Sequence, residues 1–427
     1  MAYSTAFLSK TRSGASYSLR PPDQDEHLAH SRYADFCLHQ VRPYQCSSSC
    51  NLYLRKNSQS DIHAHSITTL LSTYNLKSQG VRQRLAEIAP WDVKGERNNI
   101  QIRGIGLGGF AAVVACREST EAEEEHAIAV KIAHVPTKSD ATLAQANNQI
   151  STEIAGLTQF NHDNIISLLG FMEDTSQIPS HLLIMPLCTS SLKECQKLTG
   201  EQQERYCLGL TAGLSYLHKQ SYCHRDIKLA NCLISTTGVL KISDMGMLIA
   251  FDKTTGVYKH TQQSGTRNYL PPEAQKKDSE GQYIYGAAGD SYAAALVMGQ
   301  ITDLIPRVGN TLPAYRTIIP NTDRRMTAWH TPADYLQRTE LLRQSLTSAL
   351  TALGGIPSIE TWLEQDQAPF RTFPFNIISE TLTPPVYALI IAAGLREDIS
   401  LRLTATRMHE CLLSWLPEKP DSPVRYS

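Results

Sequence analysis

One short run carries an acid, a cation and an amide: His224-Arg225-Asp226-Ile227-Lys228-Leu229-Ala230-Asn231, read as a loop after a helix and before a strand. Thirteen residues beyond Asn231 comes Asp244-Met245-Gly246, at the end of the strand signal Val239 to Ile242. Two hard-oxygen side chains converging from separate loops suit Mg2+ bridging phosphates. Upstream, Gly106-Leu107-Gly108-Gly109-Phe110-Ala111-Ala112-Val113 is a flexible backbone whose amides could approach phosphates without Cβ interference. Alone, such a run is more often just a tight turn. Ala129-Val130-Lys131 raises the phosphate reading, because it sets a lysine at an inward-pointing strand position, and a buried lysine needs an anionic partner. Glu153 supplies one, in a helix-like stretch before Leu157 and the break Asn161 to Asn164; seen alone it would read as a solvated helix-face residue.

The elements that must position these groups follow from periodicity. Short strand signals begin after Asn98: Ile100 and Ile102, then Phe110 to Cys116, then Ala127 to Ile132, with Gly-rich and acidic turns between, the acidic one being Glu121 to Glu125. Three such runs imply an antiparallel meander. Helical patterns dominate after residue 140, including Gln202 to Lys219 and an almost wholly apolar stretch from Tyr285 to Ile301. The expected class is α+β: a small β-rich lobe and a larger helical one.

The first eighty positions hold fourteen serines, with short candidate helices only over 66–76 and 81–88, so residues 1–95 read as a Ser-rich extension, partly ordered or disordered. Cys46, Cys50, His63 and His65 fit no zinc-finger spacing and read as a chance cluster. A formal charge of -1 over 427 residues gives no bulk field to drive binding to nucleic acid or anionic lipid. The longest apolar stretches, Tyr292 to Met298 and Tyr387 to Leu395, fall far short of the roughly 20 residues of a membrane span. The start has no apolar run of signal-peptide length, and the ten scattered cysteines suggest reduced thiols, so a cytoplasmic protein is expected.

Taken together and in order, these motifs resemble the eukaryotic-type protein kinase family, Ser/Thr branch, over roughly residues 96–418. The resemblance implies a bilobal kinase fold, with an N-lobe and hinge over about 96–188, a C-lobe over 189–418 and a tail at 419–427. It also implies ATP as phosphoryl donor, Mg2+ (with Mn2+ as a substitute), and protein substrates with Ser/Thr acceptors. Gly106, Leu107, Gly108, Gly109, Ala111 and Val113 match the loop that covers the phosphates. Ala129, Met185 (the gatekeeper), Pro186, Cys188 and Leu233 join them around the nucleotide. Lys131 matches the strand lysine on the α- and β-phosphates, and Glu153 its helix partner. Asp226 matches the aspartate that accepts the substrate hydroxyl proton, Lys228 the lysine that steadies the transferring charge, and Asn231 and Asp244 the metal ligands. Leu157, Leu168, His224 and Met245 match an apolar regulatory column above Asp290. Glu273, in Pro271-Pro272-Glu273, closes the activation segment and has Arg402 as its ion-pair partner. Thr266 matches the residue that bonds the catalytic loop, and Thr261 is the hydroxyl best placed to carry a phosphate to Arg225.

Three departures stand out. Ala111 replaces a third loop glycine, and Met245 replaces the aromatic of the Asp-Phe-Gly triplet, where a flexible apolar side chain can still fill the column. The interval from Asp290 to Arg402 is longer than the family's usual one; it includes an enlarged segment, about 302–385, with leucines at helical spacing from Leu336 to Leu353. Autophosphorylation is expected, the default state is a monomer, and residues 1–90 are expected to be dispensable for catalysis. The alternatives are a kinase-fold scaffold with weak activity, which should show a lost lysine or metal ligand, and a small-molecule phosphotransferase, which should lack the activation segment. Arg267, in the expected substrate-facing loop, defines no recognition rule. A Ser-rich leader on a divergent kinase would also suit a bacterial effector delivered to host cytosol.

Overall fold

Strands rich in Val, Ile and Ala build the first of two compact units, which comprises Met1–Ser190, Leu233–Gly238 and Ser243–Ile249; the second comprises Ser191–Cys232, Val239–Ile242 and Ala250–Ser427. The structure, a computed structural model, describes residues 41–47, 50–55, 95–97, 100–107, 111–118, 127–133, 140–174, 180–303, 385–396 and 398–415. The expected helices over 66–76 and 81–88, His63 and His65, the acidic turn 121–125, Gly108 to Phe110, nearly all of the enlarged segment and the tail 419–427 lie outside these residues.

In the first unit the strands are β1 (Val41–Ser47), β2 (Cys50–Arg55), β3 (Gly95–Arg97), β4 (Ile100–Leu107), β5 (Ala111–Glu118), β6 (Ile128–Ala133), β7 (Gly170–Asp174) and β8 (Ser180–Pro186). They form one sheet in the order β1-β2-β7-β8-β6-β5-β4-β3, and every neighbouring pair is antiparallel. The expected meander is β4-β5-β6. Along β6, Ile128, Val130 and Ile132 share one buried face, and alternation sets Ala129 and Lys131 on the other. Helix α1 (Asp140–Gln159) runs between β6 and β7 and buries Ala146, Ile150, Glu153 and Leu157.

The sheet also recruits two strands, β1 and β2, from the Ser-rich extension over residues 1–95. β2 pairs with β7 from Cys50↔Asp174 to Leu54↔Gly170. The Tyr53 ring stacks on Phe171 with centroids 4.8 Å apart. Backbone hydrogen bonding along β7 and an aromatic contact supply the physical reason.

The second unit opens with α2 (Gly200–Lys219), which starts two residues before the expected Gln202 because Thr199 and Gln202 form a reciprocal capping box. Strand β9 (Val257–His260) pairs antiparallel with β10 (Tyr283–Gly286), flanking the short helix α3 (Pro272–Gln275). Helices α4 (Ala287–Ile301), α5 (Pro385–Gly394) and α6 (Ala405–Trp415) complete it. The helix expected from Tyr285 therefore begins at Ala287, and Tyr285 and Gly286 belong to a strand. Gly286 explains the break: a Cβ there would lie 2.5 Å from the Gly256 carbonyl oxygen, so only glycine lets β10 approach this closely. Helix α6 docks on α2 through Ser215 and Thr406, 2.9 Å apart, and Thr211 and His409, 3.1 Å apart. Cys116 in the first unit and Cys207, Cys223 and Cys232 in the second are buried free thiols.

Candidate active site

Strand register assembles the first unit's share of the expected site. Gly106 lies opposite Val113, Val113 opposite Lys131, and Lys131 opposite Leu183, so one row crosses four strands. A second row runs Ala115, Ala129, Met185. Leu107 ends β4, Ala111 begins β5, and Gly108 and Gly109 lie outside the described residues. After Pro186, the Leu187 N–H donates to the Ala127 carbonyl (3.2 Å), and the Thr189 N–H and hydroxyl both donate to the Ile234 carbonyl (2.8 and 3.0 Å). These bonds set half-exposed Cys188 beside the strand that carries Leu233.

The Lys131 ammonium donates to Glu153 Oε2 at 2.6 Å and to Asp244 Oδ1 at 2.7 Å. Burial alone would lower the Lys131 pKa, but the two carboxylates outweigh it and hold the amine well above the ordinary lysine range, firmly charged. Burial pushes Glu153 up and Lys131 pulls it back, with Asp244 adding to the upward push. The Glu153 side chain is 1% exposed and Asp244 is 41% exposed, so one carboxylate is locked in the protein and the other faces solvent. Asp244 has φ of 66°, a left-handed conformation that a non-glycine residue adopts at an energetic cost and that clusters at functional sites. Leu157, Leu168 and Met245 are fully buried in this unit.

In the second unit four donors converge on the Asp226 carboxylate. Oδ1 accepts from the Thr266 N–H at 3.0 Å and the Thr266 hydroxyl at 2.6 Å; Oδ2 accepts from Lys228 at 2.6 Å and Asn231 Nδ2 at 3.1 Å. Lys228 also donates to the Thr266 hydroxyl at 2.9 Å, and Asn231 Nδ2 to the Asp226 carbonyl at 2.7 Å. A carboxylate held from both edges has one orientation, which suits a group that must take a proton from a defined direction.

The loop is anchored from behind by buried Asp290, which accepts from the His224 N–H (2.7 Å) and Arg225 N–H (2.9 Å) and bonds His218 Nε2 (2.9 Å). Burial pushes the Asp290 carboxyl up, but the His218 hydrogen bond, the electrostatic pull of His218 and His224 and the His224 N–H bond prevail and hold it below the usual carboxylate value. Arg402 meets Glu273 in a two-pronged pair, with Nη2 to Oε2 at 2.9 Å, and also donates to the Arg396 and Ala288 carbonyls. Arg225 lies against the rings of Tyr258 and Tyr285, and Thr261 is exposed. Sequence reasoning missed His218, Tyr285 and the contact of the Tyr258 ring with Arg225. The alternation Tyr283-Ile284-Tyr285-Gly286 is a strand signal that could have revealed Tyr285.

A family model described as the protein kinase domain matches residues 100–409. Among curated proteins, a probable serine/threonine-protein kinase of Zea mays, CCRP1, is 32% identical over 44% of this chain and 28% of its own length. Aurora kinase A-A of Xenopus laevis is 30% identical over 40% of each chain. Cyclin-dependent kinase 7 of Carassius auratus is 30% identical over 47% of this chain and 56% of its own. The chain thus spans between about a quarter and a little over half the length of these relatives.

Proposed function

The chain belongs to the protein kinase family, and on that premise we propose that it transfers the γ-phosphoryl group of ATP to Ser or Thr hydroxyls of proteins. The observation that carries this reading is the Asp226 carboxylate, oriented by Thr266, Lys228 and Asn231. Asp226 would take the proton from the acceptor hydroxyl, and Lys228 would steady the charge on the phosphoryl oxygens. Lys131, fixed by Glu153, would hold the α- and β-phosphates as a permanent cation. Strand β8 and the residues after it would present Met185, Pro186 and Cys188 to the adenine, with Ala129, Val113 and Leu233 packed around it. The Asn231 amide oxygen and the Asp244 carboxylate are hard-oxygen groups of the type Mg2+ takes, and Asp244 has the exposure a metal requires. When bound, the metal neutralises phosphate charge.

Serine and threonine acceptors are favoured by Lys228 at its offset from Asp226 and by the similarity to a probable serine/threonine-protein kinase. The scaffold alternative should show a lost lysine or metal ligand, and none is lost. Among the described residues no helix is long and apolar enough to cross a membrane. A cytosolic setting remains part of the proposal. Incubation with radiolabelled ATP, alone and with a cell lysate, tests the activity. Asp226→Asn and Lys131→Met should each lower transfer a hundredfold or more, about 2.7 kcal/mol, in a protein that stays folded. Near-normal turnover by folded Asp226→Asn would remove Asp226 from the role of base.

A further inference from the structure

Tyr258 in β9 and Tyr285 in β10 are directly opposed across their two-stranded sheet. Both rings meet the same cation: the Arg225 guanidinium lies 5.8 Å from the Tyr258 centroid and 5.3 Å from that of Tyr285. Arg225 immediately precedes Asp226, has φ of 65°, and is tied through its N–H to Asp290. The Tyr285 hydroxyl reaches further, accepting from the Ser264 N–H at 2.7 Å and donating to the Gln262 carbonyl at 3.4 Å. Between Ser264 and Thr266, Gly265 has φ of +103° and passes so close to the Arg225 carbonyl that a Cβ would lie 2.5 Å from its oxygen. Thr266 then makes its two bonds to Asp226. Three consecutive residues are therefore fixed in sequence, Ser264 by Tyr285, Gly265 against Arg225 and Thr266 on Asp226.

We propose that the cross-strand pair Tyr258 and Tyr285 positions the acceptor-orienting loop, clamping Arg225 and the segment 262–266 with no phosphate on that segment. The inference rests on the kinase reading of the Asp226 site and adds to it a mode of control. A cation lying over two neighbouring aromatic rings is attracted by the ring quadrupoles. It needs no added anion to stay in place. The exposed Thr261 is then not the group that Arg225 awaits. Burial also pushes the Tyr285 phenol above its ordinary value, so the hydroxyl stays neutral and keeps both hydrogen bonds at physiological pH.

The test uses the full-length chain, treated with a broad-specificity protein phosphatase until its intact mass shows no phosphate. Amide hydrogen exchange is followed over residues 257–270 in wild type, in Tyr258→Ala/Tyr285→Ala and in Tyr285→Phe. The phosphate-free wild type should protect the segment at least about tenfold better than the double variant. Tyr285→Phe, which keeps the ring and loses the hydroxyl, should speed exchange at Ser264 while leaving Thr266 protected; it provides a reading even if the double variant fails to fold. In transfer assays the double variant should lose about tenfold or more in kcat with the ATP KM within about twofold, a split that general destabilisation would not produce. Tyr258→Phe should recover most of what Tyr258→Ala loses, and Thr261→Ala should retain full transfer. Equal protection in wild type and double variant, or protection that appears only after the segment is phosphorylated, would overturn the clamp. Exchange is read without turnover, so a protein that transfers no phosphate at all would count against the kinase reading while the clamp is judged separately.

Discussion

Replacing Thr266 by valine keeps a β-branched side chain and deletes one hydroxyl. That hydroxyl donates to Asp226 Oδ1 at 2.6 Å and accepts from Lys228 at 2.9 Å, so both of its partners are charged. The Thr266 N–H still reaches Asp226 at 3.0 Å, and Lys228 still meets Asp226 Oδ2 at 2.6 Å, so the cluster should loosen without collapsing. A hydrogen bond to a charged group contributes about 1.5–3 kcal/mol, and at about 1.4 kcal/mol per decade its loss from the transition state lowers kcat between about tenfold and a hundredfold. Thr266→Ser, which keeps the hydroxyl, should stay within about threefold of wild type. The assay is steady-state transfer to a Ser/Thr peptide mixture, with the ATP KM measured alongside. Thr266 belongs to the acceptor-orienting cluster, so that KM should barely move. Wild-type kcat in Thr266→Val would refute the argument that the hydroxyl orients Asp226.

Removing Glu273 by alanine strands the Arg402 guanidinium, 0% exposed, without its carboxylate, so urea unfolding should show a loss of about 3–5 kcal/mol; the double change Glu273→Ala/Arg402→Met should lose less than the two single changes summed. Asp290, held below the ordinary carboxylate value, contributes stability that is complete above that value and disappears as pH falls through the depressed folded value, so Asp290→Asn should flatten the acid limb of a stability-against-pH curve. The same variant should lose about 2 kcal/mol at neutral pH, because an amide NH2 would face either the His224 or the Arg225 N–H. A chain beginning near Trp91 loses β1 and β2 and the Tyr53–Phe171 stack, and thermal melts should show a midpoint at least roughly 3 °C lower. An unchanged midpoint would mean that the hairpin adds nothing to the sheet.

The residues that the structure gathers into the candidate site were readable from the chain because each belongs to a short-range pattern of residue types. Asp226, Lys228 and Asn231 sit within six positions, and the alternation around Lys131 is enough to turn it to the opposite face from Ile128, Val130 and Ile132. The pairing of Lys131 with Glu153 joins a strand to the next helix, and both ends carry their own signals. What stayed hidden depends on long-range partners. Nothing in residues 50–54 announces that their ladder lies with 170–174, since pairing across so many residues leaves no local period. Tyr285 was hidden for another reason: the apolar run continuing into α4 masks the two-residue alternation before Gly286, and only the close approach of Gly256 reveals why a strand ends there. His218 reads as a basic residue in the last turn of α2, and only the fold turns it towards Asp290.

Burial raises the thiols of Cys116, Cys207 and Cys223 well above the ordinary value and lifts Cys232 to about 12. At neutral pH these sulfurs are almost wholly protonated and shielded, so a thiol-reactive dye can modify them only after the surrounding structure opens. Cys116 reports on the β-rich unit and the other three on the helical one. The chain thus carries its own clock for each unit. Among the described residues, half-exposed Cys188 and Cys195 would label first, and under excess dye the slower phases of the buried thiols would follow the opening of the unit that holds each.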